Sequence, residues 1–426
     1  MLFFAAADAL PRLLPTLLWL AVGLFPAFYL AVLVHEVGHV VVGRLCGYTV
    51  TSFGLGTEGP LLLRLLLPGG NRPIFYVLRR NALQGFARLL PPDLYPPPTR
   101  TLPVVLGGAL ANLGAATLCL AAFARRPDLF PLFLLGAANT LVMALALLPM
   151  SRPVPGGSGE GDKGVRYPSD GRTALLRLTR RARRTSYSPA VSLRPVPLLI
   201  AVGDRLMLAE QHLTAASEAI DLGSGGAAER LLQAARGHLE EAPPSPAARP
   251  LLDARLHLEE GRLLLLAGHR EAAVAALTEA RNRFAAANRP VGRLAAAVAL
   301  AAATEDRTTL ERLAEDPLTA QRPELRLKMQ EALLLTCLRA GAAESPEAVE
   351  TLLARYEAAR RRYQDLTADL RVYTALARYR ETRGDLGGAS VAAARAEEAR
   401  HTLHTLLSGD PEAQVAVAPP ASTAAT

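Results

Sequence analysis

Val32-Leu33-Val34-His35-Glu36-Val37-Gly38-His39-Val40-Val41-Val42 sets two histidines and a glutamate inside an otherwise apolar stretch. Residues 35 to 39 are an instance of H-E-x-x-H. On a helix, positions i and i+4 project from one face, so His35 and His39 are spaced to share a zinc ion, with Glu36 beside them to take a proton from water. Ionisable groups at membrane depth cost about 2 to 3 kcal/mol each unless compensated, and a bound Zn²⁺ is the natural compensation. The plainer alternative is a helix end whose polar residues meet lipid headgroups or a neighbouring span.

Outward from this motif, uncharged runs cover Leu13 to Val34 (22 residues), Thr101 to Phe123 (23) and Leu129 to Met150 (22). Each matches the roughly 20 residues that cross a hydrocarbon core as helix. The chain opens MLFFAAADAL without a basic n-region, and the first apolar run continues to Val42, so it reads as a retained span and not a cleaved signal. Segment 46 to 100 carries six arginines and segment 151 to 194 ten Arg or Lys, against Arg12, Arg125 and Arg126 on the opposite side. That asymmetry puts the two longer segments in the cytoplasm and predicts three crossings with the C-terminus inside.

The same asymmetry explains the composition. Residues 1 to 194 hold 20 Lys+Arg and 8 Asp+Glu, a net of +12; the remainder holds 27 and 31, a net of −4. A pI near 9.7 with no groove-reading motif is therefore positive-inside charge, and nucleic acid is not expected as a partner. Three scattered cysteines exclude a disulfide framework and a thiolate metal site.

Zinc needs three protein ligands with one position left open. Residues 1 to 194 contain no histidine besides His35 and His39, and Cys46 lies seven residues past His39, about 10 Å along a helix axis. A carboxylate is expected, and topology leaves Glu58, Asp93, Glu160, Asp162 and Asp170. Asp170 is favoured because Ser169-Asp170-Gly171 enters the run RTALLRLTRRARR, which can fix the carboxylate in place, although an ordinary helix N-cap would look the same. Asp162, in GGSGEGDKG, is the second choice. An amide in an apolar run needs a partner, so Asn112 in the second span at least meets a neighbouring helix, worth about 0.5 to 1 kcal/mol. Gly107, Gly108 and Gly114 read as close helix packing, as does Gly38.

These residues together make the N-terminal part, roughly residues 10 to 185, resemble the site-2 protease family of intramembrane zinc metalloproteases, peptidase family M50. The similarity rests on HEVGH at 35 to 39, TSFGLG at 51 to 56, GPLLLRL at 59 to 65, GGALAN at 107 to 112, and LLPMSR at 147 to 152 leading to SDGRTALLRL at 169 to 178. The resemblance implies that His35, His39 and the aspartate of an Asp-Gly pair, here Asp170, bind zinc, and that Glu36 is the general base. It further implies that Asn112 helps hold the substrate backbone or the developing oxyanion.

Between the first two spans, VTSFGLG, PLLLRLLL, PIFYVLRR and ALQGFARLL are short apolar pieces separated by Gly, Pro and Asn and closed by PPDLYPPP. They predict a small cytoplasmic sheet or re-entrant hairpin, whose edge would suit pairing with an unwound substrate segment. Segment 172 to 184, with six arginines and three leucines, reads as a cationic helix on an anionic leaflet.

Past Pro195 the informative feature is repetition. Gly223, Gly268 and Gly384 are each followed at +5 by alanine (Ala228, Ala273, Ala389) and at +12 by alanine (Ala235, Ala280, Ala396). Glycine at the turn and small residues where helices cross predict stacked helical hairpins, and the region resembles degenerate tetratricopeptide repeats. Paired histidines such as His401 and His404 lack a third ligand.

The expected fold is mainly α: a polytopic membrane domain of about three spans with a small cytoplasmic β-sheet (1–194), a soluble TPR-like solenoid (195–408) and a disordered tail (409–426). The expected function is zinc-dependent endoproteolysis of membrane-embedded or membrane-adjacent protein segments at the cell membrane, with the cytoplasmic repeats binding substrate or a regulator. The alternative is a membrane-anchored interaction scaffold with a vestigial or structural metal site.

Overall fold

The computed structural model describes residues 2–56, 58–67, 74–81, 84–153, 166–178, 182–183, 189–193, 195–341 and 344–407. The tail from 409, and the alternative ligands Glu160 and Asp162, lie outside them; for Glu58 only the backbone is described. The chain forms two compact units. The first contains the described residues of Met1–Leu89, Thr99–Pro155 and Tyr167–Leu175; the second contains Leu90–Pro98 and the described residues from Leu176 onward.

The first unit opens with helix α1 (Leu2–Leu45). It ends just beyond the HEVGH motif because Gly47 takes φ +84°, and the Tyr48 amide turns back to the Gly43 carbonyl at 2.9 Å. Strands β1 (Thr49–Leu55), β2 (Glu58–Leu67), β3 (Ile74–Asn81) and β4 (Gly85–Leu90) follow, one for each of the four apolar pieces. They form one sheet in the order β2-β3-β1-β4, with β1 parallel and β2 antiparallel to β3, so β2 and β4 are its edges. Val40 of α1 packs with Val50, Phe53 and Ile74, which fixes the sheet against the motif-bearing end of the helix. Leu62, Leu63, Leu65 and Leu66 on edge β2 are all exposed.

Helices α2 (Pro98–Arg125) and α3 (Phe130–Leu147) complete the apolar set. Among the described residues, Val22–Leu45, Pro98–Arg125 and Phe130–Leu147 are long and apolar enough to cross a membrane. Small residues let them approach: Ala27 and Ala31 of α1 meet Ala138 and Val142 of α3 in one cluster. Gly38 and Gly107 form the α1–α2 crossing, where a Cβ on Gly38 would lie 2.4 Å from the Gly107 carbonyl oxygen. Gly114 does not pack as expected, since a Cβ there would meet open space. After α3 the chain makes a short two-stranded ladder, β5 (Ser151–Pro153) with β6 (Arg166–Pro168), which returns it to α4 (Asp170–Leu178).

The second unit is helical. After β7 (Ala182–Arg183) come α5 (Pro189–Leu193), α6 (Val196–Val202), α7 (Arg205–Asp221), α8 (Gly225–Glu241), α9 (Arg249–Leu266) and α10 (Arg270–Ala286). Then follow α11 (Pro290–Thr304), α12 (Arg307–Ala314), α13 (Pro317–Gln321), α14 (Pro323–Ala340), α15 (Pro346–Arg360), β8 (Tyr363–Gln364), α16 (Leu366–Thr382) and α17 (Leu386–Leu406). The turns between α7 and α8, α9 and α10, and α16 and α17 are made by Gly223, Gly268 and Gly384 with φ of +81°, +81° and +78°. All six alanines of the repeat pattern are buried. The repeat therefore marks helical hairpins. The expected helix over 172–184 does not run through to its end: α4 covers Asp170–Leu178, and Ala182–Arg183 pairs in parallel with Tyr363–Gln364 as a short strand.

Candidate metal centre

His35 and His39 stand one turn apart on α1 with their rings 4.8 Å apart and nearly perpendicular. His35 and Glu36 are buried at 8% and 7% exposure. The His39 Nδ1–H donates to the Val104 carbonyl of α2 at 2.7 Å. That bond fixes the tautomer and leaves Nε2 as the electron-pair donor, the arrangement expected of a metal-ligating imidazole. Gly108, one turn further along α2, lies on the His35 ring so closely that a Cβ would sit 2.5 Å from Nε2.

Of the carboxylates open to sequence reasoning, the fold brings Asp170 to the two histidines. Its Oδ2 is 3.0 Å from His35 Nε2 and 3.3 Å from His39 Nε2, and the two Nε2 atoms are 3.2 Å apart. A tetrahedral zinc with bonds of about 2.0 to 2.1 Å holds its ligand atoms about 3.3 Å from one another, so this triangle fits that ion. Among the described residues His35, His39 and Asp170 are the one group of three or more that could hold a metal. Asp93 lies elsewhere, in the helical unit, accepting from the Val291 and Gly292 amides.

Asp170 is free to reach the histidines because it is not the cap of its own helix. Ser169 does that: its Oγ accepts from the Arg172 amide at 3.2 Å and donates to the Leu148 carbonyl at 2.5 Å, and the Ser169 amide donates to Met150 at 2.9 Å. These bonds tie the start of α4 to the end of α3. Gly171 permits the contact, since a Cβ there would lie 1.9 Å from the Leu147 carbonyl oxygen. The serine and glycine flanking Asp170 thus place the carboxylate. A Ser-Asp-Gly at a helix start was the visible signal, but the partner carbonyls are about twenty residues away.

Asn112 is fully buried, with Nδ2 3.4 Å from His35 Nδ1 and Oδ1 without a hydrogen-bond partner. Its amide therefore adjoins the ring nitrogen that does not face Asp170. Rotating the amide by half a turn sets Oδ1 to accept from Nδ1–H, which directs the His35 lone pair to Nε2. Gly85, the first residue of edge strand β4, covers Glu36; a Cβ there would lie 2.4 Å from Glu36 Oε1. Sequence reasoning did not single out Gly85 or Val104, since neither position carries chemistry of its own.

Residues 24–362 match the family model described as Peptidase family M50. The match runs well past the motif-bearing stretch of residues 10 to 185 and into the helical unit. No curated protein and no solved structure matches the chain.

Proposed function

The chain belongs to peptidase family M50, a family of membrane zinc metalloproteases, and from that premise we propose that it is a site-2-type intramembrane endopeptidase. Its substrates are proteins cut within or beside a membrane-spanning segment. The observation that carries this reading is the triangle of His35 Nε2, His39 Nε2 and Asp170 Oδ2, with Glu36 one residue from the first ligand, in which both histidines and Glu36 stand near the end of an apolar helix.

In this reading the three residues hold zinc. Zinc bound there supplies a Lewis acid that lowers the pKa of a water and polarises a carbonyl. Glu36 takes the proton from the attacking water and delivers it to the leaving amide nitrogen, a role typically worth 10² to 10⁴ in rate. Val104 and Asn112 hold the two imidazoles in the tautomer that offers Nε2, so Asn112 acts as a positioning residue through His35. The edge of β4, which begins over Glu36, offers backbone partners to an unwound substrate strand. Residues 1–194 carry this chemistry as a multi-pass domain of the cell membrane. Residues 195–408 form the cytoplasmic repeat domain that recruits the substrate or a regulator.

Purified protein in liposomes, incubated with single-span membrane proteins and analysed by mass spectrometry, tests the substrate class. Cuts inside or at the border of an apolar span are expected. Cleavage confined to soluble, unfolded proteins would contradict it.

A further inference from the structure

Residues Leu90–Pro98 connect edge strand β4 to span α2, yet they belong to the helical unit. Leu90 is 1% exposed and packs with Leu199, Leu206 and Leu208. Leu94 packs with two further clusters of the same unit, around Phe284 and around Leu325, and Tyr95 with the second of these. Between them, Asp93 Oδ2 accepts from the Val291 amide and Oδ1 from the Gly292 amide, both at 3.0 Å, while Oδ1 also accepts from Leu94 at 2.8 Å.

The contact completes a helix that its own sequence leaves open. Helix α11 begins with Arg289 as N-cap, without a side-chain cap bond and without an acid in its first turn. Its N-terminal amides and the positive end of its dipole are met by a carboxylate from about two hundred residues earlier. Burial raises the Asp93 pKa, and the amide bonds and Arg289 pull the other way. The stretch is thus held by apolar contacts on either side of a charged cap.

Its two exits lead to the metal centre. Five residues before Leu90, Gly85 lies against the Glu36 carboxylate. Six residues after Pro98, Val104 accepts the His39 Nδ1–H. We propose that the helical unit is a receptor for residues 90–98 of its own chain, and that its grip on Asp93 sets the order of edge strand β4 and of the first turns of α2. A regulator of the helical unit that displaces this strap would act on the centre through those two connections. The consequence for cleavage rests on the zinc-peptidase reading; the coupling itself does not.

Hydrogen–deuterium exchange on the full-length protein tests the coupling without any assay of activity. Asp93→Ala should speed exchange by about tenfold in residues 84–90 and 99–104 as well as in the first turn of α11. A change confined to α11 would overturn the proposal and leave Asp93 an ordinary cap. Should Asp93→Ala fail to fold, a synthetic peptide of residues 88–100 added in excess to the unmodified protein should loosen 84–90 by competing for the same surface. Peptide that binds without loosening 84–90, or that does not bind, would overturn it equally.

Discussion

At Gly171 one added methyl group would stand 1.9 Å from the Leu147 carbonyl oxygen, a backbone atom that has little room to yield. Gly171→Ala must therefore move the start of α4 and with it the Asp170 carboxylate. Zinc affinity, measured by competition with a chelator, should fall by about 10- to 100-fold, the range typical when a ligand loses its support. Asn112→Ala should weaken zinc by a similar factor if the amide works through His35; intact zinc affinity with reduced cleavage would instead return it to substrate contact. The HEVGH motif was fully legible, because its geometry is local to one helix. The choice of Asp170 was legible only as a preference, since what delivers it is the set of Ser169 bonds to Leu148 and Met150 across an intervening ladder. The role of Asp93 was hidden for the same reason, its partners being residues 291 and 292.

Helical hairpins in the second unit make contrasting use of glycine. Gly268 sits at φ +81° with nothing near a Cβ, so Gly268→Ala meets no clash and costs only the left-handed backbone, about 1 kcal/mol. Gly237 is inside α8, also with open space around it, so Gly237→Ala should stabilise by about 0.5 to 1 kcal/mol. Thermal unfolding of the two variants should shift in opposite directions. The α7–α8 hairpin also carries a pH dependence. Burial, then His212 and Arg205, depress the His238 pKa from its ordinary 6.5. The unfolded chain then binds the proton more readily, so stability is lost as pH falls below about 6.5 and levels off below the depressed value. His238→Gln should flatten that loss in melting temperature. The glycine–alanine repeat revealed these hairpins, and the breakers between apolar pieces revealed the four strands, whereas the short strand Ala182–Arg183 escaped, because its partner Tyr363–Gln364 lies about 180 residues away.

At the scale of the whole molecule, the lopsided charge and the two compact units divide the chain into an apolar part bearing the candidate metal centre and a helical part that holds residues 90–98. The most direct test is cleavage of a transmembrane reporter by the purified protein and by its Glu36→Gln variant, with zinc content determined on the same samples. One zinc per chain in both, with cleavage reduced at least 100-fold in Glu36→Gln, is the predicted result. A zinc-free unmodified protein, or a Glu36→Gln variant that cuts at the original rate, would contradict the account.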